Sequence, residues 1–216
     1  MPEFRLLLEG YRRFRAGPYV EQRQRYDSLA NKGQAPKVMI IACSDSRVDP
    51  TRVFDTGPGQ AFVLRNVANL VPPYEPDSAR HSTSAAIEYA VTILKVHHIV
   101  VFGHAHCGGI QASLDGRFDY AAHGAGGFIG SWMSMIAPAR DRIRAAAALS
   151  PDIDAAAALE LEAIRISIAN LRSFPFVANA EATGELLIQG TCFDIADGIL
   201  RVLDPETNKF AATPID

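Results

Sequence analysis

Apolar positions along the chain follow two rhythms. Short, unbroken apolar runs stand at 37–43 (Lys-Val-Met-Ile-Ile-Ala-Cys), 61–67 (Ala-Phe-Val-Leu-Arg-Asn-Val) and 98–102 (His-Ile-Val-Val-Phe). Runs this short and rich in branched residues read as strands buried on both faces of a parallel sheet. A fourth such segment covers 185–194, and Asp197-Gly198 turns it back into 199–203 as an antiparallel edge hairpin. Between these runs the spacing is helical. Residues 3–30 carry Phe4, Leu7, Leu8, Tyr11 and Phe14 on one stripe, interrupted at Gly17-Pro18. Residues 82–95 open with Ser and Thr and continue with helical periodicity as the crossover into the third strand. A short helix follows Cys107 to Leu114, a longer one broken near Pro138 spans 128–149, and another restarts at 150–154 and reaches Leu171. The pattern predicts one α/β domain over 1–216. It has a helical arm at 1–33 and a core at 34–216, whose mostly parallel central sheet of four strands plus an antiparallel edge strand is flanked by helices.

Composition narrows the partners. The 216 residues carry a net charge of -3, and the Lys and Arg residues are scattered, which leaves no basic patch for nucleic acid. No stretch is long enough to span a bilayer, and acids interrupt the apolar N-terminal patch where a signal peptide needs a continuous core. The expectation is a cytoplasmic protein with neither nucleic acid nor membrane as partner. Three cysteines cannot pair completely, and two of them stand at strand ends beside Asp or His, which favours metal binding over disulfides.

The chemistry gathers at those strand ends. The first strand runs into Cys43-Ser-Asp-Ser-Arg47 and the third into Gly103-His-Ala-His-Cys-Gly-Gly109. In open α/β sheets, ligand sites form in the crevice outside the carboxyl ends of the strands. Cys43, His104 and Cys107 then make a Cys2His set, a zinc arrangement that leaves one position open for chemistry. His104 and Cys107, three apart across a turn, can grip one ion, while Cys43 must come from a distant strand. Gly108 and Gly109 offer backbone N–H groups at a helix start, where a developing anion is favoured. Cys192 lacks such neighbours and reads as a buried packing residue. His106 reads as a solvent-facing turn residue between two ligands.

These motifs, with Arg65-Asn-Val-Ala-Asn69 and Ala86-Ile-Glu-Tyr-Ala-Val91, resemble the β-class carbonic anhydrases of the plant-like branch, in order from about residue 20 to the end. The resemblance implies one Zn2+ per chain on Cys43, His104 and Cys107, with Asp45 and Arg47 as the catalytic dyad. It implies reversible hydration of CO2 to bicarbonate by a hydroxide made at the metal. Gln34, Phe62, Val67 and Tyr89 match the family's substrate pocket. The resemblance further implies a homodimer or a multiple of dimers, with the arm over the neighbouring subunit and the site at the interface. Enzymes that hydrolyse carbonyl sulfide or carbon disulfide are similar and form the rival reading; a non-catalytic zinc or bicarbonate module would need a damaged dyad or a fourth protein ligand. Some bacterial members hold an inhibitory bicarbonate with a Trp and a Tyr, where this chain has Ile40, Ala42 and Phe193 at the matching places. Arg65 is therefore expected to lack partners for holding that anion.

Overall fold

A computed structural model of the protein describes residues 2–77, 80–119 and 127–214. Its sheet is built from β1 (Val38–Cys43), β2 (Ala61–Asn66), β3 (His98–His104), β4 (Leu187–Phe193), β5 (Leu200–Leu203) and β6 (Phe210–Ala212), in the order β2-β1-β3-β4-β5-β6. The first four in that order pair parallel, and the β4–β5 and β5–β6 pairs are antiparallel.

The sheet corrects the expectation of four strands plus one antiparallel edge strand. Among the described residues the sheet has six strands, and β5 is covered on both sides by β4 and β6. Strand β6 escapes a reading of apolar rhythm because Phe210-Ala-Ala is three residues long and has no alternation. It forms because the turn before it is held by Asp204, whose Oδ1 accepts from the backbone N–H groups of Glu206 and Thr207.

Alternation along β1 sorts the core. Met39 and Ile41 face a cluster with Ile87, Val91, Ile99, Val101, Ile164 and Leu171, while Ile40 and Ala42 face one with Val48 and Phe102. Cys43 continues the series into a third cluster with Cys107, Ile110, Met133 and Leu159. Helix α9 (Ala155–Leu171) lies against β3 and β4, and it approaches closely because Gly103 and Gly190 present no side chain beneath Ile164.

Other boundaries shift locally. The helix expected over 82–95 is α-helical only over Ser82–Glu88, and its continuation Tyr89–Ile93 is one π turn. The arm breaks into Pro2–Ala16, Pro18–Glu21 and Arg23–Lys32, none of which contributes a buried residue. Arg25 Nε donates to Pro58 O at 2.6 Å, one tie between the arm and the core.

Candidate metal centre

Strands β1 and β3 run side by side with Ala42 opposite Phe102, so both chains reach the carboxyl edge of the sheet at the same height. Cys43 ends one strand and His104 the other. The chain then reverses through Ala105 and His106, with His106 at φ 58, and delivers Cys107 as the N-cap of helix α6 (Gly108–Leu114). Residues distant in sequence thereby converge. The ligand atoms of Cys43, His104 and Cys107 lie within 4.8 Å of one another, and all three residues are buried.

The donor set fits zinc. The two Sγ atoms are 4.0 Å apart, close to the roughly 3.8 Å that tetrahedral Zn–S bonds of about 2.3 Å impose. His104 Nδ1 lies 2.9 Å from Ala105 O, which assigns the ring proton to Nδ1 and leaves a lone pair on Nε2. That Nε2 is buried and has no hydrogen-bond partner. An orphaned acceptor between two thiols is a metal ligand's position. The thiols are also mutually perturbed. The Cys43 thiolate accepts from Cys107, which lowers the pKa of Cys43 and raises that of Cys107. Removal of one proton is thus favoured before any ion arrives.

Beside the ligands, Arg47 grips Asp45 in a two-pronged geometry: Nε donates to Oδ1 at 2.9 Å and Nη2 to Oδ2 at 2.7 Å. The Arg47 backbone N–H adds a bond to Oδ1, and Nη2 also donates to His106 O at 2.8 Å. The guanidinium beside Asp45 holds its carboxyl well below the usual carboxylate range. Oδ2 lies 3.9 Å from His104 Nε2, so the ionised carboxylate faces the ligand cluster.

One participant was not legible from motifs. Glu160, on α9, is 6% exposed, and its Oε1 accepts the Cys107 N–H at 2.8 Å. Burial pushes its carboxyl pKa up. Its signal in the sequence was position: it lies on the same helical stripe as Ala163, Ile164 and Ser167, where a solvated Glu would not stand.

The pocket residues divide. Val67 is brought to the site: its Cγ1 would lie 3.1 Å from a Cβ placed on Gly109, and its carbonyl accepts from Trp132 Nε1 at 2.8 Å. Gly109 sits close under Cys107 Sγ, and Gly108 is exposed at the helix start. Phe62 and Tyr89 meet each other, with ring centroids 5.8 Å apart. They do not meet the cluster of their own chain. Phe62 stands opposite Met39 while Asn66 stands opposite Cys43, a separation of about 13 Å along the strand at ~3.3 Å per residue. Gln34 is exposed in the segment between the arm and β1.

The Arg65 guanidinium is engaged with backbone carbonyls of the 43–48 segment. Cys192 is buried on β4, and burial pushes its thiol up to about 12.

A parallel sheet that delivers Cys, His and Cys to one edge beside a clamped carboxylate defines a zinc-dependent enzyme of the type that activates water for attack on a small electrophile. The chain matches the carbonic anhydrase family over residues 38–200, and it belongs to that family, in the plant-related branch of its β class. It is 39% identical over 190 residues to beta carbonic anhydrase 3 of Arabidopsis thaliana, covering 88% of this chain and 72% of that one. It superposes on the β-carbonic anhydrase CcaA with a TM-score of 0.89 at 28% identity, covering 100% of this chain and 94% of that one. One of two tetrameric β-carbonic anhydrases from the ascomycete Sordaria macrospora gives 0.76 at 28% identity, over 99% and 100%. The Coccomyxa enzyme in complex with acetazolamide gives 0.74 at 29%, over 91% and 84%. Zinc-dependent reversible hydration of CO2 is the chemistry of this site. Among the described residues, no helix is long and apolar enough to cross a membrane.

Proposed function

We propose that the hydration is carried out by Asp45 and Arg47 acting beside Cys43, His104 and Cys107. The observation that carries this reading is the two-pronged Asp45–Arg47 pair, with Asp45 Oδ2 3.9 Å from His104 Nε2. Zinc, when bound by the three ligands, supplies Lewis-acid activation of water at near-neutral pH. The protein's own residues then orient the reaction. Asp45 is ionised and can only accept, so it takes a hydrogen bond from the attacking water's remaining proton at Oδ2 and turns a lone pair toward the CO2 carbon. Arg47 keeps Asp45 ionised and, by occupying both oxygens, keeps it from swinging onto the metal. Val67 walls the apolar side of the space, Gly108 leaves the helix start open to the anion that forms, and the Gly109 N–H supports the Cys107 thiolate.

The remaining pocket walls come from a second copy of the chain. Phe62 lies on β2, the edge strand of the sheet, about four residues from the metal edge, and it pairs with Tyr89, which is 44% exposed in the π turn. The arm exposes Phe4, Leu7 and Tyr11, an apolar stripe that a neighbouring subunit would cover. A homodimer, or an assembly of dimers like the tetramer named for the Sordaria relative, completes the pocket with Gln34, Phe62 and Tyr89. Each chain is read as one domain, working in the cytoplasm.

Stopped-flow CO2 hydration by the zinc-loaded protein tests the reading, with Cys43→Ser and Asp45→Asn beside it. Fast hydration lost in both variants supports it. Full activity in Asp45→Asn would remove the dyad from the mechanism, and hydrolysis of carbonyl sulfide without CO2 hydration would move the substrate.

A further inference from the structure

Arg65 occupies β2 opposite Ala42, one residue short of the strand end. Its guanidinium spans the loop that leaves β1. Nε donates to Cys43 O at 2.9 Å, and Nη2 donates to both Asp45 O at 2.7 Å and Val48 O at 2.8 Å. Nη1 stands 3.5 Å from Asp49 Oδ2. The three carbonyls belong to a metal ligand, to the dyad carboxylate's residue, and to the point where the chain re-enters the core, since Val48 is 1% exposed.

Backbone ties alone hold this segment loosely. Ser44 N–H bonds Asn66 O at 2.8 Å, and Val48 N–H bonds Asp45 O at a longer 3.2 Å. Asp45 sits between these two points, with its N–H turned to Cys43 Sγ and its carbonyl held by Arg65. The rigid fork of an arginine, with its five N–H donors, can span three separate carbonyls in a way that a lysine's single ammonium cannot.

We propose that Arg65 is a positioning residue for hydration, because its fork ties the carbonyls of Cys43, Asp45 and Val48 into one rigid piece and so sets Asp45 against the metal ligand. The proposal rests on the roles given above to Asp45 and Arg47. Arg65 touches neither substrate nor metal ligand side chain. It acts through backbone, and its loss therefore changes turnover more than substrate capture.

The test compares Arg65→Ala and Arg65→Lys with the wild type for zinc content, melting temperature, kcat and KM for CO2, with and without methylguanidinium. Arg65→Ala is expected to hold one zinc per chain and lose about 100-fold in kcat, the scale of a misplacement of about 1 Å, with KM changed less than about twofold. Arg65→Lys is expected to stay ~10-fold or more below wild type, since it cannot span the three acceptors. Methylguanidinium, entering the space left by the side chain, is expected to raise the kcat of Arg65→Ala and leave the wild type unchanged. Wild-type kcat in either variant overturns the proposal, as does a loss of activity that only follows a loss of zinc. If Arg65→Ala does not fold, the kcat of Arg65→Lys decides. Asp45→Asn measured alongside separates the two claims: if it is fully active the dyad reading fails, whereas an inactive Asp45→Asn with normal Arg65 variants refutes the positioning role alone.

Discussion

Gly103 immediately precedes a metal ligand, and the substitution Gly103→Ala tests how tightly the helix above it is seated. A Cβ at this position would lie 2.7 Å from Ile164 Cδ1 and 2.8 Å from Ile164 Cγ1, with Asn69 Oδ1 at 3.4 Å. Ile164 has nowhere to go, being fully buried and already pressed toward Gly190, where a Cβ would meet its Cγ2 at 2.9 Å. The helix must therefore lift. Overpacking of this kind costs about 1–3 kcal/mol. It also carries Glu160, one turn earlier on the same helix, away from the Cys107 N–H, so zinc affinity falls together with stability. Urea unfolding and chelator competition read the two effects. Ile164→Ala alone should cost about 2–5 kcal/mol as a cavity, but the double variant removes the clash and partly refills the hole. The two changes should then couple favourably by about 1–3 kcal/mol. Costs that add to within ~0.5 kcal/mol would refute the contact as the cause.

Three further outcomes follow from the site. Chelating the zinc should lower the melting temperature, since an ion present at about 1,000 times its Kd adds about 4 kcal/mol to the folded state; an unchanged melting curve after verified metal loss would count against the ligand set. Cys192→Ala should keep one zinc per chain, and Cys192 should resist alkylation at pH 8 in the native protein, because its thiol is buried and pushed up to about 12; mass spectrometry of the alkylated enzyme checks this. Asp45, with a folded pKa held below its unfolded value, contributes stability that is complete above the ordinary carboxylate range, starts to fall within it and is gone only below the depressed folded pKa. The gap in urea midpoint between wild type and Asp45→Asn should therefore hold steady at neutral pH and begin to narrow only below about pH 4, and a gap that widens toward acid contradicts the assignment.

What could be read from the chain was local in sequence or repeated in rhythm. Cys43, His104 and Cys107 were legible because each ends an apolar run or sits in the turn after it, and strand ends are where such sheets place ligands. Asp45 and Arg47, two and four residues after the first thiol, were named as a pair from the family resemblance rather than from the rhythm of the chain. Strand β6 was not, because three residues carry no period and the strand exists by pairing with β5. The π turn at Tyr89–Ile93 was invisible to a helical count, which one added residue per turn hardly disturbs. Glu160 was missed because an acid in an alanine-rich helix usually faces water. The Arg65 clamp was missed because its three acceptors are backbone carbonyls, which no side-chain motif records.

The sheet also sets an order in time. Its antiparallel pairs close across the short turns 194–199 and 204–209, whereas the parallel pairs that bring Cys43 beside His104, and β3 beside β4, close only after the long crossovers 44–97 and 105–186. Contacts of such separation form slowly, because the loop entropy is lost before the contact is gained. All three metal ligands have been synthesised by residue 107, yet the helix bearing Glu160 and the strand bordering β3 are still to come. During synthesis the thiols thus wait without part of their scaffold, because the acceptor for the Cys107 N–H and the strand beside His104 are made last.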